Sequence, residues 1–397
     1  MQQISESRRE VSCVRTVKDP AGTSTIFSPD EPLQRARLLA FYLPQFQPTP
    51  ENDLWWGKGF TEWTNVTRAQ RLFRGHIQPR LPADLGFYDL RVPETRAEQA
   101  ELARAHGIEA FCYWHYWFGG RRILDQVEQA LRRSPEPDFP FCLAWANHSW
   151  SRSWNGDTRT VLVEQTYSPE DDRKHARYLV EFFADARYFR VHNRPLFAVY
   201  APHWIPEPQR FPDTLRSECS RSGLPNPFLL GINHDTTVFD ATQCGYDRTV
   251  NLTPKLALLP GVQTSGGQKK RLLRNLTKGV ISTSLNIFDY APTLQKMMEY
   301  RNQLPYTTYP SVFTGFDNTA RRGKQGTVLL GATPDAFADG LTRALSVVEA
   351  LPMQERLVFI NAWNEWAEGM YLEPDQRYGR AFLEAVRQAN SMPTAVG

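Results

Sequence analysis

The sequence predicts a (β/α)8 barrel, and three observations carry that prediction. Eight short apolar runs recur along the chain, each nearly continuous in hydrophobicity, as a strand covered on both faces requires. Longer amphipathic stretches with helix start and stop signals separate them. The first run ends in Leu43-Pro44-Gln45-Phe46 with no glycine, whereas an open doubly wound sheet places a glycine-rich turn there and usually stops at about six strands.

In chain order the runs are 37–46, 108–118, 139–147, 195–202, 227–233, 246–254, 308–318 and 357–366. Between the first two, Pro93 opens a helix over 93–106 and Gly107 stops it. Ser168-Pro169 opens a second helix that runs to about Asp185, with Tyr178, Leu179, Phe182 and Phe183 on one face. The acids Asp171 and Asp172 fall in its first turn, where the helix dipole favours negative charge. Gly119-Gly120-Arg121-Arg122 reads as the opening of a helix with room for an anion, or as a plain turn. Thr333-Pro334 begins a helix that ends near Leu351. Two connections, 47–89 and 255–305, are too long for simple loops, and Lys269, Lys270, Arg271, Arg274 and Lys278 make the second one basic in its middle. The expected organisation is a polar leader over 1–34, one barrel over 35–390, and a tail over 391–397.

Composition narrows the class. With 41% apolar and 22% charged residues among 397, the chain has the mass for a large core, which excludes a disordered or fibrous protein. Forty-six basic residues against 43 acidic ones leave no excess of the kind a nucleic-acid surface needs. No apolar run reaches the length of a membrane span, and no signal peptide is visible at the start. Five cysteines, at 13, 112, 142, 219 and 244, form no CxxC pair and read as buried reduced thiols, which points to a cytoplasmic protein.

Barrels of this kind carry their chemistry at the carboxyl ends of the strands. Read together, those ends offer Tyr42; then Tyr113, His115 and Tyr116; then Asn147, His148 and Trp150; then Tyr200 and Asn233; and last Trp363, Asn364 and Trp366. Flat rings suit the apolar faces of sugars, and amides and carboxylates take their hydroxyls, so carbohydrate is the expected substrate class. The sharpest feature is Glu365-Trp366-Ala367-Glu368. Two acids three apart in a helical turn face the same way. In a partly dry mouth their repulsion splits them into one protonated acid and one ionised base or nucleophile, the pair that retaining glycosidic cleavage uses. His115, His148, His203 and His234 with Asp235 raise the question of zinc, but no strand carries ligands at close paired spacing, so hydrogen-bonding imidazoles and no metal are expected.

Several longer motifs resemble the WbsX-like family, which is related to glycoside hydrolase family 99. They are Phe41-Tyr42-Leu43-Pro44-Gln45-Phe46, Asn52-Asp53-Leu54-Trp55-Trp56-Gly57, Gly59-Phe60-Thr61-Glu62-Trp63, Leu81-Pro82-Ala83-Asp84-Leu85-Gly86-Phe87-Tyr88-Asp89 and Trp363-Asn364-Glu365-Trp366-Ala367-Glu368-Gly369. The resemblance spans roughly residues 37–390. It implies a (β/α)8 barrel that needs no metal or other cofactor, acts on polysaccharide, and is often encoded beside bacterial O-antigen or capsule genes. It adds Trp56, Glu62 and Trp63 to the substrate-binding candidates. By the family 99 pattern, Glu365 would deprotonate the sugar 2-hydroxyl, which attacks the anomeric carbon to give a 1,2-anhydro intermediate, and Glu368 would act as acid and then as base. One departure bears on substrate orientation: an acidic residue is expected after Asn147, and this chain has His148.

The expectation is therefore a retaining endo-type glycosidase or transglycosidase acting on a bacterial surface polysaccharide. Its alternatives are a glycosyltransferase using a nucleotide- or lipid-linked donor, and a glycan-binding barrel without catalysis. The only partner expected is an oligo- or polysaccharide; the sequence leaves the oligomeric state open.

Overall fold

The computed structural model describes residues 34–151, 160–262 and 285–391, together with the backbone of 15–18 and 24–27. The rest of the leader, Cys13, Trp154, the basic run from Lys269 to Lys278, and the tail beyond 391 lie outside the described residues.

All eight expected strands form, in the expected order. They are β1 (Arg37–Tyr42), β2 (Ala110–His115), β3 (Phe141–Trp145), β4 (Arg194–Val199), β5 (Phe228–Asn233), β6 (Arg248–Asn251), β7 (Thr308–Phe313) and β8 (Leu357–Asn361). Each pairs in parallel with the next, and β8 pairs with β1, which closes the barrel. Closure leaves no exposed ladder edge, and helices on the outside bury the other face of every strand. Accordingly β2, β3, β5 and β8 are buried at every position.

The helix signals act where they stand. Ser168 accepts from the Asp171 amide at the start of helix Pro169–Phe183, and Thr333 accepts from the Ala336 amide at the start of Pro334–Val348. Helix Pro93–Ala105 ends before Gly107 at φ +79°. Gly119 and Gly120 instead turn a short hairpin between Trp117–Phe118 and Arg121–Arg122, both at positive φ, and the next helix begins only at Gln126. The double glycine is thus a hairpin turn, not a helix N-terminus open to an anion.

The first long connection contains helices Pro50–Trp56 and Glu62–Arg68, and the described part of the second contains helix Tyr290–Asn302. Within the leader, Arg15–Lys18 and Ser24–Phe27 pair antiparallel. Cys112, Cys142 and Cys219 are buried, Cys244 is half-buried, and all four are free thiols. Among the described residues no helix is long and apolar enough to cross a membrane.

Candidate active site

The barrel mouth, at the carboxyl ends of the strands, holds two adjoining cavities of about 290 and 450 Å³. Both are lined by Tyr200, Arg321, Asn361 and Glu368, so they make one cleft with Glu368 at the seam.

The chain after β8 sets the carboxylates. Asn364–Glu365 pairs antiparallel with Met370–Tyr371, and Trp366–Glu368 forms one 3-10 turn closed by Gly369 at φ +63°. The α-helical turn expected for this motif is therefore a hairpin tip. Both acids nonetheless line the cleft. Only glycine suits position 369, because an added β-carbon would also stand 3.1 Å from Arg80 and from the Asp317 backbone. The Asp317 amide donates to the Glu368 carbonyl at 2.6 Å.

Asp317 fastens this turn to its neighbours. Its carboxylate accepts from His76 and Gln78, each at 3.0 Å, and from Thr319. Burial would raise its proton affinity, but the His76 bond and the Arg80 charge outweigh burial and hold the carboxyl below its usual range. The result is a fixed platform under Thr319–Arg322, the single helical turn that carries Arg321.

Arg321 is the residue that sequence reading missed. One guanidinium donates to Glu62 at 2.9 Å, Glu365 at 3.1 Å and Glu368 at 2.5 Å. Its side chain is 7% exposed, that of Glu62 0%, of Glu365 12% and of Glu368 27%. Three carboxylates facing one cation in a dry mouth cannot all ionise cheaply. Burial pushes the Glu365 carboxyl up to about 8, with Arg321 opposing and the charges of Glu368 and Glu62 adding to the push.

The sign for stability follows. The folded state holds the Glu365 proton more tightly than the unfolded chain, where the carboxyl ionises near its ordinary 4.5. The stability this proton supplies is complete below that value and is lost as pH climbs toward about 8. Urea unfolding of the wild type should thus weaken from pH 5 to pH 8, and Glu365→Gln should flatten that decline. An equal decline in both proteins would contradict the assignment.

The candidate residues divide by where they stand. Trp56, Tyr116, His148, Trp150 and Tyr200 line the first cavity with Glu365 and Glu368. Burial pushes the Tyr116 and Tyr200 hydroxyls up and pulls His148 down to about 4. Glu62 stands one contact behind, on Arg321 and Asn65.

The others line neither cavity, and for Tyr113 and His115 strand alternation is the reason. On β2 and just past its end, Trp114 and Tyr116 turn to the mouth, whereas Tyr113 and His115 turn outward to the helices. Tyr113 packs on Tyr42, whose hydroxyl donates to Gln99 at 2.7 Å. His115 bonds Glu128 at 2.9 Å and His175 at 2.9 Å.

Three amides hold backbone rather than facing the cleft. Asn147 brackets the Ala201 peptide, Asn233 donates to the Thr237 carbonyl and accepts from Lys255, and Asn364 brackets Leu43. Trp63 donates to the Tyr88 carbonyl and packs on Trp366, and Trp363 packs on Phe111. Trp366 stacks on Tyr371 at 3.8 Å and donates to Glu373 at 2.6 Å. Glu373 also accepts from Tyr88 and Gln99, and burial pushes its carboxyl up to about 7. These residues support the carboxylate turn from beneath.

The second cavity is lined by His234, Asp235, Lys255 and Arg322 beside Arg321 and Glu368. Lys255 donates to the Asn233 carbonyl at 2.7 Å, and burial pulls its ammonium down to about 7. Of the histidines weighed as zinc ligands, His203 and His234 meet Asp235, whereas His148 stands across the Tyr200 ring and His115 is behind the wall.

The architecture is shared with solved proteins. A glycoside hydrolase-like protein superposes with a TM-score of 0.57 at 11% identity, covering 93% of this chain and 97% of its own. The GH99 endo-alpha-mannosidase from Bacteroides thetaiotaomicron gives 0.53 at 15% identity, covering 90% and 96%. Two proteins from Xanthomonas campestris pv. campestris, both called uncharacterized protein WxcX, are 43% and 42% identical over 355 residues, or 89% of this chain. The chain spans about half the length of these curated relatives, at 49%. The family model described as glycosyltransferase WbsX matches residues 38–386. A match over that length places this chain in the WbsX glycosyltransferase family.

Proposed function

We propose that this chain is a retaining, endo-type glycosidase or transglycosidase acting on a bacterial surface polysaccharide. The observation that carries the proposal is the pair Glu365 and Glu368, both lining an aromatic-walled cleft and both held by Arg321. Glu365 is the base, the role the family 99 pattern gives it: in its ionised form its carboxylate, pushed up to about 8 by burial, takes a proton more readily than an ordinary carboxylate. Glu368 is more exposed and sits where the two cavities meet, which suits a proton donor to an oxygen linking sugars on either side. Rings of Trp56, Trp150 and Tyr116 supply the stacking faces, and Arg321 holds the acids in position and offsets their charge.

A second reading, donor-dependent glycosyl transfer, is favoured by the family's description and by the cations Lys255 and Arg322 in the second cavity. The experiment that separates the two is incubation of the full chain with a panel of purified O-antigen and capsular polysaccharides, with and without sugar nucleotides. Shortened or rearranged polymer without a nucleotide donor, with retained anomeric configuration by NMR, is the expected result. Product that forms only when a sugar nucleotide is added would replace it with the second reading.

A further inference from the structure

We infer that His203, His234 and Asp235 form a three-ligand site for a divalent transition metal of the zinc class, with an open position toward the second cavity. His203 lies on the Pro202–Trp204 turn after β4, and His234 and Asp235 follow β5 directly. Neighbouring strands of a closed barrel thus deliver three ligands that lie 31 residues or more apart or adjacent in sequence, with no local motif.

The spacing is looser than at the protein's other imidazole–carboxylate contacts. Elsewhere in this protein an imidazole nitrogen meets a carboxylate at 2.9 Å (His115 with Glu128), 3.0 Å (His76 with Asp317) and 2.9 Å (His192 with Glu355). The nitrogens of His203 and His234 both approach one oxygen of Asp235, at 3.3 and 3.7 Å. Those distances are long for charge-assisted hydrogen bonds. The shorter fits the edge of a tetrahedron, since metal–nitrogen and metal–oxygen bonds of about 2.0–2.2 Å put neighbouring ligands about 3.3–3.6 Å apart, and the longer lies just beyond it. All three ligand atoms lie within 4.8 Å of one another, so small side-chain rotations close the set.

The surroundings fix the ligands. The second oxygen of Asp235 accepts from the Thr237 amide at 2.8 Å, which aims the other at the imidazoles. Tyr200 stacks on His234 at 4.2 Å, Trp204 meets its face edge-on at 4.8 Å, and Phe239 packs on His203. His234 and Asp235 line the cavity of about 450 Å³, which leaves the fourth position to water or to an oxygen of a bound molecule.

The test uses the full chain with any affinity tag removed, stripped with a chelator and then titrated with Zn²⁺ by calorimetry and with Co²⁺ by visible absorption. One saturable equivalent is expected, with the intense Co²⁺ bands of a low-coordinate nitrogen–oxygen site. His203→Ala and His234→Ala should each weaken binding by more than about 100-fold, since even outer partners of metal ligands cost 10–100-fold. Asp235→Asn, which keeps the shape of the side chain, should also weaken it and serves if either histidine variant unfolds. Absence of a saturable equivalent in the wild type overturns the inference, as does an equivalent that survives in the His203→Ala/His234→Ala double variant with an unchanged Co²⁺ spectrum.

Discussion

On a polysaccharide substrate of the proposed kind, Glu368→Gln is expected to cut turnover by about 10²–10⁴-fold while leaving polysaccharide affinity within a few-fold. The amide keeps the size of the side chain and one acceptor for Arg321, so the loss falls on proton transfer rather than on the shape of the cleft. Leaving-group chemistry makes the test specific. An aryl glycoside whose phenolate needs no protonation should recover part of the lost first step in this variant. The same substrate should rescue Glu365→Gln far less, because the proton it removes comes from the attacking sugar hydroxyl. Undiminished turnover in Glu368→Gln would remove the acid role altogether, and equal rescue of both variants would remove the division of labour.

The second large effect concerns stability. Arg321→Met should lower the free energy of unfolding by about 3–5 kcal/mol at pH 8, the usual cost of stripping one partner from a buried ion pair. Here the residue removed is the shared cation of three carboxylates, one of them wholly buried. Without it the Glu365 carboxyl, whose proton Arg321 opposes, binds that proton more tightly, so the penalty should shrink toward pH 5. Arg321→Lys should fall between, because a compact ammonium cannot fork to three acceptors at once. Urea unfolding at the two pH values measures this. A loss below about 1 kcal/mol, or one that does not change with pH, would mean that the cluster does not carry the charge assigned to it.

How much of this was legible in the sequence depends on how local each signal is. The eight strands and the three helix starts rest on contiguous apolar residues and on caps a few residues from their helices, and they appear as read. The carboxylate pair was legible for the same reason, although its backbone was not: Gly369 closes the turn early, so what reads as a helix is a hairpin tip. Arg321 was invisible because it lies 44 residues from Glu365 and in a stretch, Asn318-Thr319-Ala320-Arg321-Arg322, that looks like an exposed basic turn. Reading strand ends whole also lengthened the candidate list, because every second residue, such as Tyr113 or His115, belongs to the outer face of the barrel. Asn147 and Asn364 show another limit. An amide looks the same in a sequence whether it meets a sugar hydroxyl or a peptide group.

The Asn364 amide has a further role. The seam between the last strand and the first runs up to the Trp363 amide, which donates to the Phe41 carbonyl at 2.7 Å. Beyond it the side chain of Asn364 accepts from the Leu43 amide at 2.7 Å and donates to its carbonyl at 3.1 Å, as a peptide unit of one more rung would. The very next residue is Glu365. The proposed general base is thereby mounted on the framework itself rather than on a free-standing segment, and thermal motion of the surrounding loops reaches it only by first unzipping the suture that holds the cylinder shut.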